Sequence, residues 1–308
     1  MEPLLVHHHL PKTAGRSLRK VMDANYGPGE LVNLTGREQG DPAQWYRDWW
    51  ASLPGEERAA VRCVSSHTAQ YLIPVVTDRP VRAFCTLRDP VERVISLVFF
   101  IVWMDEHGRR SPMLAAMRER GWELGDVYRH LGDGAERSPR EAELFWPLFN
   151  GQSREILAPS AEPSSLSFDR RSPELEAFGE RVSALLSDRY VVGASERFSQ
   201  SVRLFADSFG WRTTFVPHVN VRPYGSKRSE IDEETRSLIR AHNGIDAQIH
   251  AHHMARVAAL PAISRRSDLR WRAGRRGRRA LWRTRRAARR VLHELPGPGA
   301  RGRSRRAP

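Results

Sequence analysis

The chain has 308 residues, 40% of them hydrophobic, which is enough for one large α/β domain with an appendage. Its formal net charge of +14 comes from one end, because 17 arginines and two acidic residues between Pro261 and Pro308 contribute +15. Residues 1–260 are therefore close to neutral, which excludes a fold that is itself a basic nucleic-acid-binding surface.

The two cysteines and the N-terminus indicate a protein of a reducing compartment. Cys63 and Cys85 lie in apolar stretches and fit neither a disulfide framework nor a zinc site, so we expect buried free thiols. We find no basic and apolar signal peptide, and no apolar run approaches the roughly 18 residues of a membrane span. We therefore expect a cytoplasmic protein with a domain over residues 1–260 and an arginine-rich tail over residues 261–308.

Short apolar runs alternate with helical periodicities along the chain. Strands are predicted at Leu4–Leu10, Arg62–Ser66, Val81–Leu87, Tyr190–Gly193 and Thr213–Val219. Helices are predicted at 18–25, after Pro90, at 175–186, at 195–209 and at 232–257, the last with a break at Asn243. This alternation predicts an α/β fold: a P-loop-like, three-layer architecture with a central, mostly parallel sheet flanked by helices, plus the basic tail.

Two regions have weaker patterns. Residues 28–60 are expected to be irregular; they contain a tryptophan cluster (45, 49 and 50) that is more typical of core than of a sugar-binding platform. Residues 106–140 are expected to form either a helical insertion or a mobile lid.

The segment 11–17, Pro-Lys-Thr-Ala-Gly-Arg-Ser, joins the first strand to the first helix and predicts an anion site. A helix N-terminus has unpaired N–H groups and a positive dipole, and Gly15 lets an anion approach the backbone. Lys12 adds a charge, while Thr13 and Ser17 add hydroxyl donors. The lysine precedes the glycine, unlike the G-x-x-x-x-G-K-S/T pattern, which disfavours an ATP or GTP hydrolase.

A second cation cluster follows the third predicted strand. Arg88 stands at the strand end, where open α/β sheets place their ligands. On the next helix, Arg93 and Ser96 fall on the side opposite the apolar face, so Arg88 and Ser96 are placed to reach one phosphate. A surface pair between Asp89 and Arg93 is the simpler explanation of the charges, and we expect it in a supporting role.

Five segments in series resemble the sulfotransferases that use 3'-phosphoadenosine 5'-phosphosulfate (PAPS). Residues 11–17 resemble the family's P-K-T-A/G-G/S-S/T-S element for the 5' side of PAPS, and residues 87–96 resemble its element for the 3'-phosphate. The segments at 150–157, 190–198 and 218–222 resemble further elements of the branch that contains heparan sulfate 2-O-sulfotransferases and bacterial relatives. The resemblance spans residues 7 to about 257, and the order of the five elements makes it fairly specific.

The resemblance implies transfer of a sulfuryl group from PAPS to an acceptor hydroxyl. A carbohydrate or glycolipid is the expected acceptor, and small metabolites and peptides stay open as alternatives, because acceptor contacts are expected in the variable regions 28–60 and 104–145. It implies nucleotide contacts by two groups of residues, Lys12, Thr13, Ala14, Gly15, Arg16 and Ser17 on the 5' side, and Arg88, Ser96, Arg222, Ser226 and Lys227 elsewhere. The chain departs from the family at Arg16, where a small residue is usual, and after Asn220, where the family's segment is usually more polar and basic.

Lys12 and His67 are the predicted catalytic residues. Lys12 is expected to stabilise the leaving phosphate, and together with helix N–H groups it makes a metal unnecessary. His67 follows a predicted strand, and the related 2-O-sulfotransferases use a histidine at the comparable place as the base. The alternative is that His67 only hydrogen-bonds the phosphate-binding segment. The neighbouring His7, His8 and His9 alternate between strand faces and so cannot bind one metal together.

The arginine-rich tail has three possible structures or roles, and two functions compete with sulfuryl transfer. Residues 269–295 can form a basic amphipathic helix for an anionic membrane surface, bind nucleic acid without sequence specificity, or stay unfolded like the residues that follow. One rival function is a nucleotide or small-molecule kinase, which requires Mg²⁺ and an aspartate to hold it. The other is a non-enzymatic protein that binds anionic surfaces through the tail.

Overall fold

The computed structural model describes residues 2–38, 40–133, 135–157, 166–212, 214–216 and 231–263. All of these residues belong to one compact unit, Met1–Ile263. The arginine-rich helix predicted at 269–295 and the predicted nucleotide contacts Arg222, Ser226 and Lys227 lie outside the described residues.

The core of this unit is a five-stranded sheet in which all strands are parallel. The strands are β1 (Leu4–His8), β2 (Leu31–Asn33), β3 (Cys63–Ser66), β4 (Val81–Leu87) and β5 (Tyr190–Ala194), in the order β2-β3-β1-β4-β5. Every residue of β1 is buried, as expected for a central strand that is covered on both faces. The predicted α/β class with a parallel sheet flanked by helices is confirmed.

The register brings three strand ends together at one edge of the sheet. His8, the last residue of β1, pairs with Ser66 of β3 and with Cys85 of β4. Because the three strands are parallel, the segments that follow them leave the sheet side by side. These segments contain His9, His67 and Arg88.

Twelve α-helices flank the sheet in the described part of the chain. They are α1 (Gly15–Asn25), α2 (Pro42–Ser52), α3 (Gly55–Ala60), α4 (Pro90–Glu106), α5 (Pro112–Arg120), α6 (Leu124–Leu131), α7 (Pro139–Phe145), α8 (Gly151–Leu157), α9 (Pro173–Arg189), α10 (Phe198–Phe209), α11 (Glu233–His242) and α12 (Gly244–Ala258). None of these described helices has both the length and the apolar character that crossing a membrane requires.

Local sequence explains where several helices begin. Four of them start with an Asp or Ser side chain that accepts a backbone N–H of the first turn, followed directly by proline. Proline has no N–H to leave unpaired there, and its fixed φ suits the first helical position. The four pairs are Asp41-Pro42, Asp89-Pro90, Ser111-Pro112 and Ser138-Pro139.

Successive residues of β4 pack against different helices on the two faces of the sheet. Phe84 is fully buried and contacts the rings of Phe205, Phe209 and Trp211. Cys85 faces the other way and belongs to a core cluster with the buried face of α9. Both cysteines are buried free thiols, as predicted.

Two predictions about regular structure are wrong, whereas the prediction that the tryptophan cluster belongs to the core is confirmed. The segment 28–60 is not irregular, since it contains β2, α2 and α3. Trp50 is 5% exposed and belongs to the core, and Trp45 and Trp49 pack partly buried against the same cluster. Residues 214–216 form no strand, and the rest of the predicted strand at 213–219 lies outside the described residues.

The region 106–140 consists mainly of packed helices rather than a lid. Helices α5, α6 and α7 share one core cluster with α4, and Val127, Tyr128 and Phe145 are at most 1% exposed in it. The predicted break in the closing helix is confirmed at Asn243 between α11 and α12. The buried amide of Asn243 donates to the Leu148 and Ile239 carbonyl groups at 2.9 and 2.8 Å.

Candidate functional site

The segment between β1 and α1 has a strained backbone conformation. Lys12 and Ala14 both have a φ of 69°, in the left-handed region that residues other than glycine seldom adopt. Such a residue costs about 1–3 kcal/mol and is kept only where the surrounding structure holds it. Left-handed residues in a turn direct successive N–H groups into one concavity, a form that binds anions.

Four consecutive backbone N–H groups of this segment are not used in hydrogen bonds within the described part of the protein. Ser17 and Leu18 both donate to the Ala14 carbonyl, at 2.9 and 3.1 Å. Within the described residues, the N–H groups at positions 13–16 donate no hydrogen bond. They lie at the N-terminus of α1, where the helix dipole also favours negative charge. The predicted anion site at residues 11–17 thus has suitable backbone geometry.

The side chains of the segment divide into structural and accessible ones. The buried Thr13 hydroxyl donates to the Leu10 carbonyl at 2.8 Å and so stabilises the turn. The donor of Thr13 that remains for a ligand is therefore its backbone N–H group. Ser17 is buried on α1, whereas the Arg16 side chain is exposed. At Gly15, a Cβ would stand 1.9 Å from the His9 ring, so only glycine fits there.

Arg88 and Lys12, predicted from separate motifs, are in contact. Arg88 Nη1 donates to the Lys12 carbonyl at 3.0 Å, and Arg88 Nη2 lies 3.6 Å from Oε2 of Glu92. Lys12 Nζ lies 4.1 Å from the centre of the Phe100 ring on α4, a cation–π distance. No sequence pattern marked Phe100 as a site residue, since it falls outside the apolar face predicted for its helix. Two cationic side chains therefore lie at the strand edge beside the unpaired N–H groups.

The backbone of Arg88 is held by two side chains from other elements. The amide of the buried Gln152 accepts from Arg88 N at 2.9 Å and donates to Arg88 O at 2.8 Å. Glu196 accepts from Asp89 N at 3.0 Å and also contacts His250 Nε2 at 3.1 Å. The segments 150–157 and 190–198, which resemble family elements, thus support the second cation cluster.

Gln152→Leu is expected to lower the free energy of unfolding by about 1–3 kcal/mol, because it leaves two backbone groups of Arg88 without their partner. Urea denaturation followed by circular dichroism measures the change. The exposed Gln44 on α2 provides the control: Gln44→Leu is expected to change stability by under about 0.5 kcal/mol. Equal losses in both variants would contradict the structural role of Gln152.

Arg93 is not part of the ligand edge, and the surface pair with Asp89 is wrong. Arg93 is 1% exposed and donates to the Pro147 carbonyl at 2.9 Å and to Glu155 at 3.2 Å. Asp89 instead caps α4 by accepting from Glu92 N. Burial raises the pKa of Glu155 to about 8, against the opposing effect of Arg93. Ser96, predicted to share a side with Arg93, is also buried in α4.

His67 packs on His9, whose ring in turn lies against Gly15 of the 11–17 segment. Its ring stacks on His9 with 4.4 Å between ring centres, and its Nδ1 donates to the His9 carbonyl. Because a carbonyl only accepts, Nδ1 carries the proton and the neutral ring keeps a lone pair on Nε2. Burial lowers the pKa of His67 below its usual value, against the hydrogen bond to His9 and the charge of Glu38. The ring is therefore in the form that accepts a proton at neutral pH.

The histidines of β1 alternate between the two faces, as expected. His7 hydrogen-bonds Ser65 at 2.8 Å, and His8 hydrogen-bonds the Tyr190 hydroxyl at 3.3 Å. Burial lowers the pKa of both His8 and His9 to about 3, so these rings are neutral. In the described part of the chain, no group of three or more His, Cys, Asp or Glu residues is arranged to hold a metal ion.

Glu38 is a site residue that the sequence did not indicate. Its Oε1 accepts from the hydroxyls of Ser66, Thr68 and Tyr46, the last two both at 2.9 Å. Burial disfavours the negative charge of Glu38 and raises its pKa. The hydrogen bonds from the three hydroxyls outweigh burial, so the pKa of Glu38 lies below its usual value. Glu38 follows a short strand in the region expected to be irregular, and nothing in the sequence relates it to His67.

No protein-family model matches this chain, and no curated protein matches it.

Proposed function

We propose that this protein is a PAPS-dependent O-sulfotransferase that acts on a carbohydrate or glycolipid hydroxyl. The observation that carries the proposal is the contact between Arg88 and Lys12 beside the unpaired N–H groups at 13–16. A bisphosphorylated nucleotide requires two anion-binding elements on one edge of the sheet, and the contact between the two predicted elements supports this proposal. The five segments that resemble the family lead to the same function.

In the proposed reaction, the acceptor oxygen attacks the sulfur of PAPS in line with the bond that breaks. A new oxygen–sulfur bond forms, and the bond from sulfur to the bridging oxygen breaks with its electron pair on the leaving phosphate. Lys12 and the N–H groups of the 11–17 segment stabilise this negative charge. The acceptor proton passes to Nε2 of His67, and adenosine 3',5'-bisphosphate is released.

Calorimetry with adenosine 3',5'-bisphosphate tests the nucleotide site without knowledge of the acceptor. We expect binding in the micromolar range, at roughly −8 kcal/mol, and its loss in both Lys12→Ala and Arg88→Ala. Arg203→Ala removes an exposed arginine on α10 and is the matched control, expected to bind like the wild type. Binding of ATP with Mg²⁺ in place of the bisphosphate would overturn the proposal in favour of a kinase.

Transfer is then measured with labelled PAPS against mono- and oligosaccharides and glycolipids. Variants are compared on an acceptor that supports wild-type turnover. A chain truncated after residue 263 is expected to keep this activity, since both anion elements lie within Met1–Ile263. Loss of nucleotide binding on truncation would favour the alternative, in which the protein acts through its basic tail.

A further inference from the structure

Glu38 is bonded to the residues on both sides of His67. Strand β3 ends at Ser66, so His67 is the first residue beyond the sheet ladder. The hydroxyls of Ser66 and Thr68 both donate to Oε1 of Glu38, and Ser66 Oγ also accepts from Thr68 N at 3.1 Å. The buried Tyr46 of α2 donates a third hydroxyl to the same oxygen.

We propose that Glu38 is a positioning residue for the catalytic base: it holds His67 against His9 by fixing the residue on either side of His67. This inference rests on the proposed function, in which His67 accepts the acceptor proton. The hydrogen bond to the His9 carbonyl and the stacking on His9 orient the ring from one side. The Glu38 cluster fixes the backbone that carries the ring from the other side.

The carboxylate also affects the proton affinity of His67. Its negative charge raises the pKa of His67 and so works against burial, which lowers it. The other titratable groups around the ring are His7, His8 and His9, whose burial keeps them neutral, and Arg19 of α1, whose charge lowers the pKa of His7 and His9. Among the described residues, Glu38 is the charged group that affects the pKa of His67 itself.

The first test measures the pKa of His67 and needs no acceptor. In Glu38→Gln, the amide keeps the size of the side chain and removes its charge, so we expect the pKa of His67 to fall. Imidazole NMR signals followed through a pH titration measure this shift, with His67→Gln to assign the resonance. Glu176→Gln, at an exposed position on α9, is the matched control and is expected to leave the signal unchanged.

The second test uses transfer from labelled PAPS. Glu38→Gln is expected to lower kcat by about tenfold while KM for PAPS changes less than about twofold, since the nucleotide contacts are intact. The acid limb of the pH profile should move to lower pH together with the NMR pKa. Tyr46→Phe keeps the charge and removes one of the three hydroxyls, so we expect a smaller fall in kcat.

The outcomes separate this inference from the proposed function. An unchanged pKa of His67 in Glu38→Gln, or equal changes of kcat and KM, would overturn the role of Glu38. A shifted pKa in a protein that neither binds the bisphosphate nor transfers the sulfuryl group would refute the proposed function alone. If Glu38→Gln does not fold, Tyr46→Phe and Thr68→Val decide the matter: normal kcat in both would overturn the inference.

Discussion

Replacing His67 by alanine is expected to lower kcat for sulfuryl transfer by about 10²–10⁴-fold, the usual contribution of a general base. The hydrogen bond from Nδ1 to the His9 carbonyl keeps the lone pair on Nε2, where the acceptor proton is to be received. Alanine removes that lone pair but leaves the contacts between Arg88 and Lys12 in place. Initial rates with labelled PAPS give kcat, and calorimetry gives the affinity for adenosine 3',5'-bisphosphate, which we expect to stay within about threefold of the wild type.

The pH dependence provides a second measurement of the same role. Burial lowers the pKa of His67, so the ring stays neutral and active down to a pH below the usual histidine value of about 6.5. The wild-type rate should therefore fall only below that pH, as the ring becomes protonated. His252→Ala, at an exposed position of α12, is the control and should keep the wild-type profile. A normal kcat in His67→Ala would exclude His67 as the base. Its role would then be limited to the hydrogen bond with the His9 carbonyl.

Replacing Lys12 by alanine is expected to lower kcat/KM for PAPS at least about a hundredfold, which corresponds to about 3 kcal/mol of transition-state stabilisation. The negative charge on the leaving phosphate develops during bond cleavage, so a cation at this point stabilises the transition state more than the ground state. In the structure, Nζ lies on the Phe100 ring and its backbone carbonyl accepts from Arg88.

Two variants separate the charge of Lys12 from its other effects. Lys12→Arg keeps a cation and should recover part of the lost rate, whereas Lys12→Met keeps the length without the charge and should behave like alanine. Lys20→Ala removes an exposed lysine of α1 and is the matched control. Equal rates in Lys12→Met and the wild type would exclude an electrostatic role for Lys12.

The sequence was sufficient for the elements that depend on nearby residues. The strand predicted at Leu4–Leu10 appears in the structure as β1, two residues shorter, and the helical spacing after Pro90 appears as α4. The strand, turn and helix around residues 11–17 were also predictable, because these three elements are consecutive in the chain. The break at Asn243 followed from an asparagine–glycine pair inside an amphipathic pattern.

Other features depended on contacts between distant parts of the chain. The pattern of α4 placed Arg93 on the polar side of the helix, but α8 covers that side and supplies Glu155. Glu38 and His67 are 29 positions apart and approach each other because β2 and β3 pair in the sheet. Gln152 meets Arg88 across 64 positions, through the packing of α8 at the end of β4.

The sequence by itself determined the fold class, the 11–17 segment and Arg88, because backbone preferences and hydrophobic periodicity act over a few residues. Only the tertiary structure decided which side chains meet at the edge of the sheet. Arg88 contacts Lys12, His67 stacks on His9, and Glu38 accepts hydrogen bonds from the two residues that flank His67. The reason is physical, since a hydrogen bond or an ion pair depends on separation in space, which the register and order of the parallel strands establish.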